Sequence, residues 1–196
     1  TAFEFARHGA RIGDVIHHVI GSPDVFVPLH EPEFSASAWE MVKDCLDTGW
    51  VSSVGKYVDQ FERDIAAASG TAYGVAVVNG TAALQVAMIV AGVQPDDEVI
   101  VPALTFIATA NAVSHAGAVP HFVDSDMTTM GMDAVALAAH LDRIAVRKHG
   151  MVINRDTGRR IAAIVPMHVF GHPVDMDTLN GLAANYGLPV IEDAAE

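Results

Sequence analysis

Four short stretches hold residues whose types and order could do chemistry together. Asn79-Gly80-Thr81 follows the apolar run Val75–Val78 and leads straight into two alanines of a helical pattern. A strand feeding through Gly-Thr into a helix N-terminus builds an anion site. The first helical N–H groups have no partner inside the helix, and the helix dipole is positive at that end. Gly80, Ala82 and Ala83 are small enough for a phosphate to approach the backbone, and Thr81 adds a hydroxyl. Alone, the same unit is more often an ordinary strand-to-helix turn. The other stretches are Pro102–Phe106, with an aromatic ring at Phe106; Met167–Gly171, with His168; and Glu192-Asp193, with a carboxylate at Asp193. A phosphate cradle, a flat apolar ring and a carboxylate that keeps a pyridine nitrogen protonated are what pyridoxal phosphate requires if its ring is to act as an electron sink.

These residues can meet only if the elements carrying them form one sheet. From Val75 onward, short continuous apolar runs alternate with helical patterns. Strands are expected at Val75–Val78, Glu98–Val101, Val119–Val123, Ile161–Pro166 and Pro189–Ile191. Helices are expected after Gly80 and at Ala108–Ala116, Met132–Leu141 and Met176–Tyr186. Continuous apolar strands between helices predict an α/β fold, a mostly parallel sheet covered on both faces. In such a sheet ligands sit at the carboxyl ends of the strands, where all four stretches lie. His149–Arg160 is polar, holds an Asp156-Thr157-Gly158 turn signal, and reads as a surface excursion or hairpin. Upstream, residues 1–22 show helical spacing of Phe3, Phe5, Ile12, Val15, Ile16, Val19 and Ile20. The segment 25–34 is extended. Ser35–Asp47 is a helix capped by Ser35 or Ser37. Trp50–Lys56 is a polar loop, and Tyr57–Ser69 is a helix.

Composition bounds the function. The 196 residues are 51% hydrophobic and 18% charged, which favours a buried core over disorder. A net charge of −13, with no basic cluster beyond Arg159-Arg160, argues against a nucleic-acid surface. Cys45 is the single cysteine, so there is no disulfide framework, and a reducing cytoplasmic location is expected. The most apolar stretch, Val75–Val93, is broken by Asn79, Gly80, Thr81 and Gln85, so no membrane span is expected. His168 and His172 stand four apart, but Gly171 and Pro173 preclude a regular helix there, and no third ligand accompanies them. No metal site is expected.

The stretches VNGTAALQVA, VPALTFIATANAV, VPMHVFGHPVDMD and PVIEDAAE resemble the DegT/DnrJ/EryC1/StrS family of sugar aminotransferases, over roughly residues 27–196. Within it, PLHEPEF, WVSSVGKYVDQFE, INRDTGRRIAA and EDAAE look like the LegC-type branch. The resemblance implies a three-layer α/β/α large domain of aminotransferase fold type I, after an N-terminal helical segment at residues 1–26. It implies pyridoxal 5′-phosphate as cofactor. Gly80, Thr81 and Ala82 would bind the phosphate, Phe106 would stack on the ring, and Asp193 would meet the pyridine nitrogen. Glu196 falls where many relatives carry Gln or His near the cofactor's 3-oxygen. An ionised Glu there would be repelled by a phenolate, so its contact calls for a proton or a tilted geometry. Ser53 and Lys56 would touch the nucleotide diphosphate of the substrate.

The implied reaction moves an amino group from an amino acid, glutamate being the usual family donor, to C4 of a nucleotide-linked 4-keto-6-deoxy (2-acetamido) sugar, on the way to a surface polysaccharide, a nonulosonic acid or bacillosamine, in a homodimer. One family feature has no match. The Schiff-base lysine follows the Asp by a few tens of residues, whereas Lys43, Lys56 and Lys148 all precede Asp193. The chain is therefore expected to be the N-terminal half of a longer protein, inactive alone, with the catalytic residue and the small C-terminal domain beyond Glu196. A histidine at that position would make the protein a sugar dehydratase instead. A non-catalytic relative that binds the cofactor or a sugar nucleotide is a further alternative. A dinucleotide-binding domain is a weaker rival, since NGTAAL lacks the full G-x-G-x-x-G.

Overall fold

The structure is a computed structural model that describes residues 11–19, 21 and 32–196. The expectations for residues 1–10 and 25–31 lie outside the described residues. The chain divides into two compact units, Thr1–Gly74 and Val75–Glu196.

In the first unit, residues 11–19 are helical. Helix α1 (Ala36–Thr48) starts where the Ser35 hydroxyl accepts the Ala38 N–H at 3.3 Å, and it stops at Gly49, whose φ of 74° suits a residue without Cβ. Helix α2 (Lys56–Ser69) ends the same way at Gly70.

The second unit contains helix α3 (Gly80–Val90), strand β1 (Glu98–Pro102), α4 (Ile107–His115), β2 (Val119–Val123), α5 (Ala134–Ile144), β3 (Ala145–Lys148), β4 (Met151–Asn154), β5 (Ile161–Ile164) and α6 (Met176–Tyr186). Strands β2, β1 and β5 form a parallel sheet in that order. Parallel bridges Ile164↔Val190 and Met167↔Asp193 prolong it past β5. Every residue of β1 is buried, as a central parallel strand requires. Side chains alternate between faces. Val99 and Val101 pack with Leu84 and Met88 of α3 and with Ala112 and Val113 of α4. Ile100 packs on the opposite side with Leu137, Leu141 and Ile144 of α5 and Leu179 of α6. These are the three layers expected: two helices, a sheet, two helices.

Three local readings need correction. The expected strand Val75–Val78 belongs to no ladder among the described residues, and Val75 and Val78 are exposed, Val78 by 88%. An apolar run becomes a strand only where a neighbouring strand takes its backbone groups. The hairpin starts earlier than expected. It is the antiparallel pair β3–β4, turning at His149-Gly150 with φ of 52° and 79°. Positive φ at both central residues gives the turn whose twist matches that of the strands. The expected last strand, Pro189–Ile191, reduces to the bridge at Val190, held by Ile164 N–H to the Pro189 carbonyl (3.0 Å) and Ile191 N–H to the Ile164 carbonyl (3.0 Å).

Candidate cofactor site

The carboxyl ends of β1, β5 and the Val190 segment open on one side of the sheet, and a cavity of about 300 Å³ lies there. Its walls come from the second unit alone. Gly80, Thr81, Phe106, Asp193 and Glu196 line it, with Leu84 and Met167 among its apolar surfaces. The volume is at the lower end of the range for small-molecule pockets.

The helix wall is built by Asn79. Its extended backbone ends the approach to α3, and its side-chain oxygen accepts the Ala82 N–H at 2.9 Å while its carbonyl accepts the Ala83 N–H at 3.1 Å. This leaves the N–H groups of Gly80 and Thr81 as the first-turn donors directed out of the helix end. Ala82 is not in the lining, and its N–H is already committed. A Cβ placed on Gly80 would meet nothing within 4 Å, so the space beside it is open to a ligand.

The aromatic wall is Phe106, the residue that starts α4. It is 65% exposed, so one ring face is free to be covered.

The acidic wall is Asp193, only 6% exposed. Its backbone is tied on both sides: its N–H donates to the Pro166 carbonyl at 2.9 Å, and its carbonyl accepts the His168 N–H at 3.1 Å. Its carboxylate accepts the Thr109 hydroxyl at 2.6 Å on Oδ2 and the Ala195 N–H at 3.4 Å on Oδ1. Thr109 is fully buried, and its hydroxyl lies 2.7 Å from that of Thr105. Sequence reasoning passed over both threonines. The available signal was Thr105-x-x-x-Thr109, one helical turn apart across the start of α4.

Glu196 is held by the loop after β5. Its carboxylate accepts the Phe170 N–H, and Phe170 has a φ of 55°, rare for a bulky residue. His168 is not in the lining. Its Nδ1 accepts the Val174 N–H at 3.2 Å, which leaves the proton on Nε2 to donate to Glu192 at 3.1 Å, so it orders the loop. No cluster of three or more metal-ligating side chains occurs among the described residues.

Ser53 and Lys56 belong to the first unit. Ser53 is exposed. The Lys56 ammonium pairs with Asp44 at 2.6 Å and lies 4.9 Å from the Tyr57 ring centre. The hydrogen bond to Asp44 holds the ammonium above its usual pKa and the Asp44 carboxyl below its own.

A helix N-terminus with two available donors, an exposed ring face and a buried, oriented carboxylate around one cavity suit a phosphorylated pyridine cofactor. Comparison with known proteins agrees. The chain is 39% identical over 170 residues to the GDP-perosamine synthase of Caulobacter vibrioides, covering 87% of this chain and 42% of that one. Among solved structures it resembles 3-amino-5-hydroxybenzoic acid synthase, with a TM-score of 0.69 and 35% identity over 85% of this chain and 39% of that one. It also resembles NtdA from Bacillus subtilis, solved with bound cofactor PMP, with a TM-score of 0.66 and 31% identity over 80% of this chain and 32% of that one. The chain thus spans about two fifths of the length of the curated relative. Residues 32–196 match the DegT/DnrJ/EryC1/StrS aminotransferase family. The chain belongs to that family, built on the type I fold of aminotransferases that bind pyridoxal or pyridoxamine phosphate.

Proposed function

We propose that the protein is a sugar-nucleotide aminotransferase and that this chain supplies most of its cofactor-binding surface. The observation that carries the reading is the buried, oriented carboxylate of Asp193 in the same cavity as the open first turn of α3. Gly80 and Thr81 donate backbone N–H groups to the cofactor phosphate, and the Thr81 hydroxyl adds a third donor. Ala82, whose N–H is taken by Asn79, contributes only its small side chain. Phe106 covers one face of the ring, and Asp193 holds the proton on the pyridine nitrogen. Glu196, whose carboxylate accepts the Phe170 N–H, would face the ring's oxygen substituent. The bound cofactor supplies the electron sink and carries the amino group; the chain binds, orients and fixes protonation.

The substrate we propose is a nucleotide-linked 4-keto-6-deoxy sugar, aminated at C4 with glutamate as donor, in the cytoplasmic synthesis of a surface polysaccharide or nonulosonic acid. The likeness to a GDP-perosamine synthase favours a GDP-linked sugar. Ser53 and Lys56 are proposed to contact the diphosphate, in a homodimer whose large domain begins near residue 27. The test is to incubate the gene product that carries this chain with PLP, 15N-glutamate and GDP-4-keto-6-deoxymannose, then weigh the sugar nucleotide. Gain of one labelled amino group supports the reading. Loss of water without nitrogen gain, or an unchanged sugar, overturns it.

A further inference from the structure

The cofactor reading assigns Asp193 but not the groups that hold it. We infer that Thr109 is a positioning residue for the Asp193 carboxylate and that Thr105 sets the direction of the Thr109 hydroxyl.

Hydrogen counting fixes the sense of each bond. An ionised carboxylate only accepts, so the 2.6 Å contact at Oδ2 must be a bond donated by Thr109. A hydroxyl has one proton, and Thr109 has then used it. The 2.7 Å contact between the two threonines must therefore run from Thr105 to Thr109. The chain Thr105 to Thr109 to Asp193 has one sense, and reversing it would aim two lone pairs at each other. Thr109 is wholly buried, so no water can stand in for its hydroxyl. It sits in the first turn of α4, which packs on the sheet, whereas Asp193 lies past the Val190 bridge and joins the sheet only through its bridge to Met167. The helix thus fixes the carboxylate from outside the ligand space. Oδ2 is bound, and Oδ1, with a single long contact at 3.4 Å, retains capacity to take a proton-bearing ring nitrogen.

The inference rests on the proposed cofactor site, and its test separates the two. In the gene product carrying this chain, the affinity for pyridoxamine phosphate is compared with that for its 1-deaza analogue, which lacks the ring nitrogen. Thr109→Val keeps the shape and removes the hydroxyl, and it should weaken pyridoxamine phosphate binding about tenfold, the usual consequence of losing a hydrogen bond to a charged group. Binding of the deaza analogue should change less than twofold. Thr109→Ser should restore the wild-type preference, and Thr105→Val should show a smaller loss of the same kind. Thr109→Ala is measured in parallel, so that a packing failure of one replacement leaves the other to read. Equal weakening of both ligands would mean that Thr109 only holds the fold, and the inference would fail. It would fail alone if Asp193→Asn weakened pyridoxamine phosphate binding and neither Thr109→Val nor Thr109→Ala did. If Asp193→Asn had no effect either, the cofactor reading itself would fall.

Discussion

Phe106 separates binding from stability because it is exposed. The ring starts α4 but is 65% accessible, so little of the fold's free energy depends on it. Its proposed role is to lie against a flat ligand, and aromatic pairs of that kind contribute about 0.5–1.5 kcal/mol beyond simple burial. Phe106→Ala should therefore weaken pyridoxamine phosphate binding by about three- to tenfold in a titration, with the urea midpoint unchanged within error. Phe106→Trp should bind at least as well as the parent. A loss of stability with intact binding would contradict the stacking role. Asp193 is the opposite case, since both its backbone and its side chain are tied into the structure. Its replacement mixes the two effects, so Asp193→Asn is read beside Thr109→Val, which leaves the carboxylate itself in place.

Among the elements, α3 shows how one side chain sets what a helix end can offer. Asn79 accepts the Ala82 N–H and so decides which donors remain for a ligand. Asn79→Ala should cost about 1 kcal/mol of stability by denaturant unfolding, the usual value for a lost helix cap. Gly131 marks another element-scale constraint. A Cβ there would come within 2.5 Å of Val174 Cγ2 and 3.4 Å of the Met167 carbonyl, in the packing that supports the loop after β5. Gly131→Ala should cost about 1–3 kcal/mol, and adding Val174→Ala should recover part of that loss, a coupling that a double-mutant cycle would read. The same scale explains what was legible in the sequence. β1, β5 and the helices α3 to α6 appear as apolar runs with their own start and stop residues, because their burial is decided by close packing around a covered sheet. Val75–Val78 has the same composition, yet it forms no ladder among the described residues, since strand formation depends on a neighbour that composition does not reveal. β3 was hidden by Arg147 and Lys148, which are tolerable because that strand is half exposed. At the site, Asp193 and the Gly-Thr turn were readable as residue types with obvious chemistry. Thr109 was not, because a hydroxyl that acts through another side chain leaves only a pair of threonines one turn apart, a spacing that helices also carry for no functional reason.

In the second unit as a whole, the two ends of the sheet carry different polar work. The carboxyl ends hold the cavity. At the amino end, Glu98 is buried and accepts hydrogen bonds from His121 Nδ1 (2.9 Å), Asn154 (2.8 Å) and Thr157 (2.5 Å), joining β1 to β2 and to the hairpin side. The chain continues outward: His121 Nε2 lies 2.8 Å from His140 Nε2, and His140 Nδ1 lies 2.9 Å from an Arg143 nitrogen. Arginine can only donate, so His140 Nδ1 accepts and its Nε2 carries the proton. That proton goes to His121 Nε2, which leaves the His121 proton on Nδ1 for Glu98. Every bond is satisfied when both histidines are neutral, and adding one proton opposes two donors. Burial, and then the Arg143 guanidinium beside it, hold His140 below its ordinary pKa of 6.5. Burial pushes the Glu98 carboxyl up, but the hydrogen bonds from Thr157, Asn154 and His121 outweigh it, leaving it below its ordinary 4.5. In both cases the unfolded chain takes up a proton at a higher pH than the folded one, so stability must fall as pH falls. The His140 contribution is fully present above pH 6.5 and declines below it; the Glu98 contribution is lost further down, below pH 4.5. Urea midpoints measured from pH 8 to pH 2 should therefore drop in two stages. His140→Gln should remove the first stage and leave the second. Glu98→Gln should flatten the second stage and lower stability by about 2 kcal/mol already at pH 7, where a buried charge-assisted hydrogen bond has been weakened. A wild-type profile that is flat between pH 7 and pH 5 would contradict the His140 contribution.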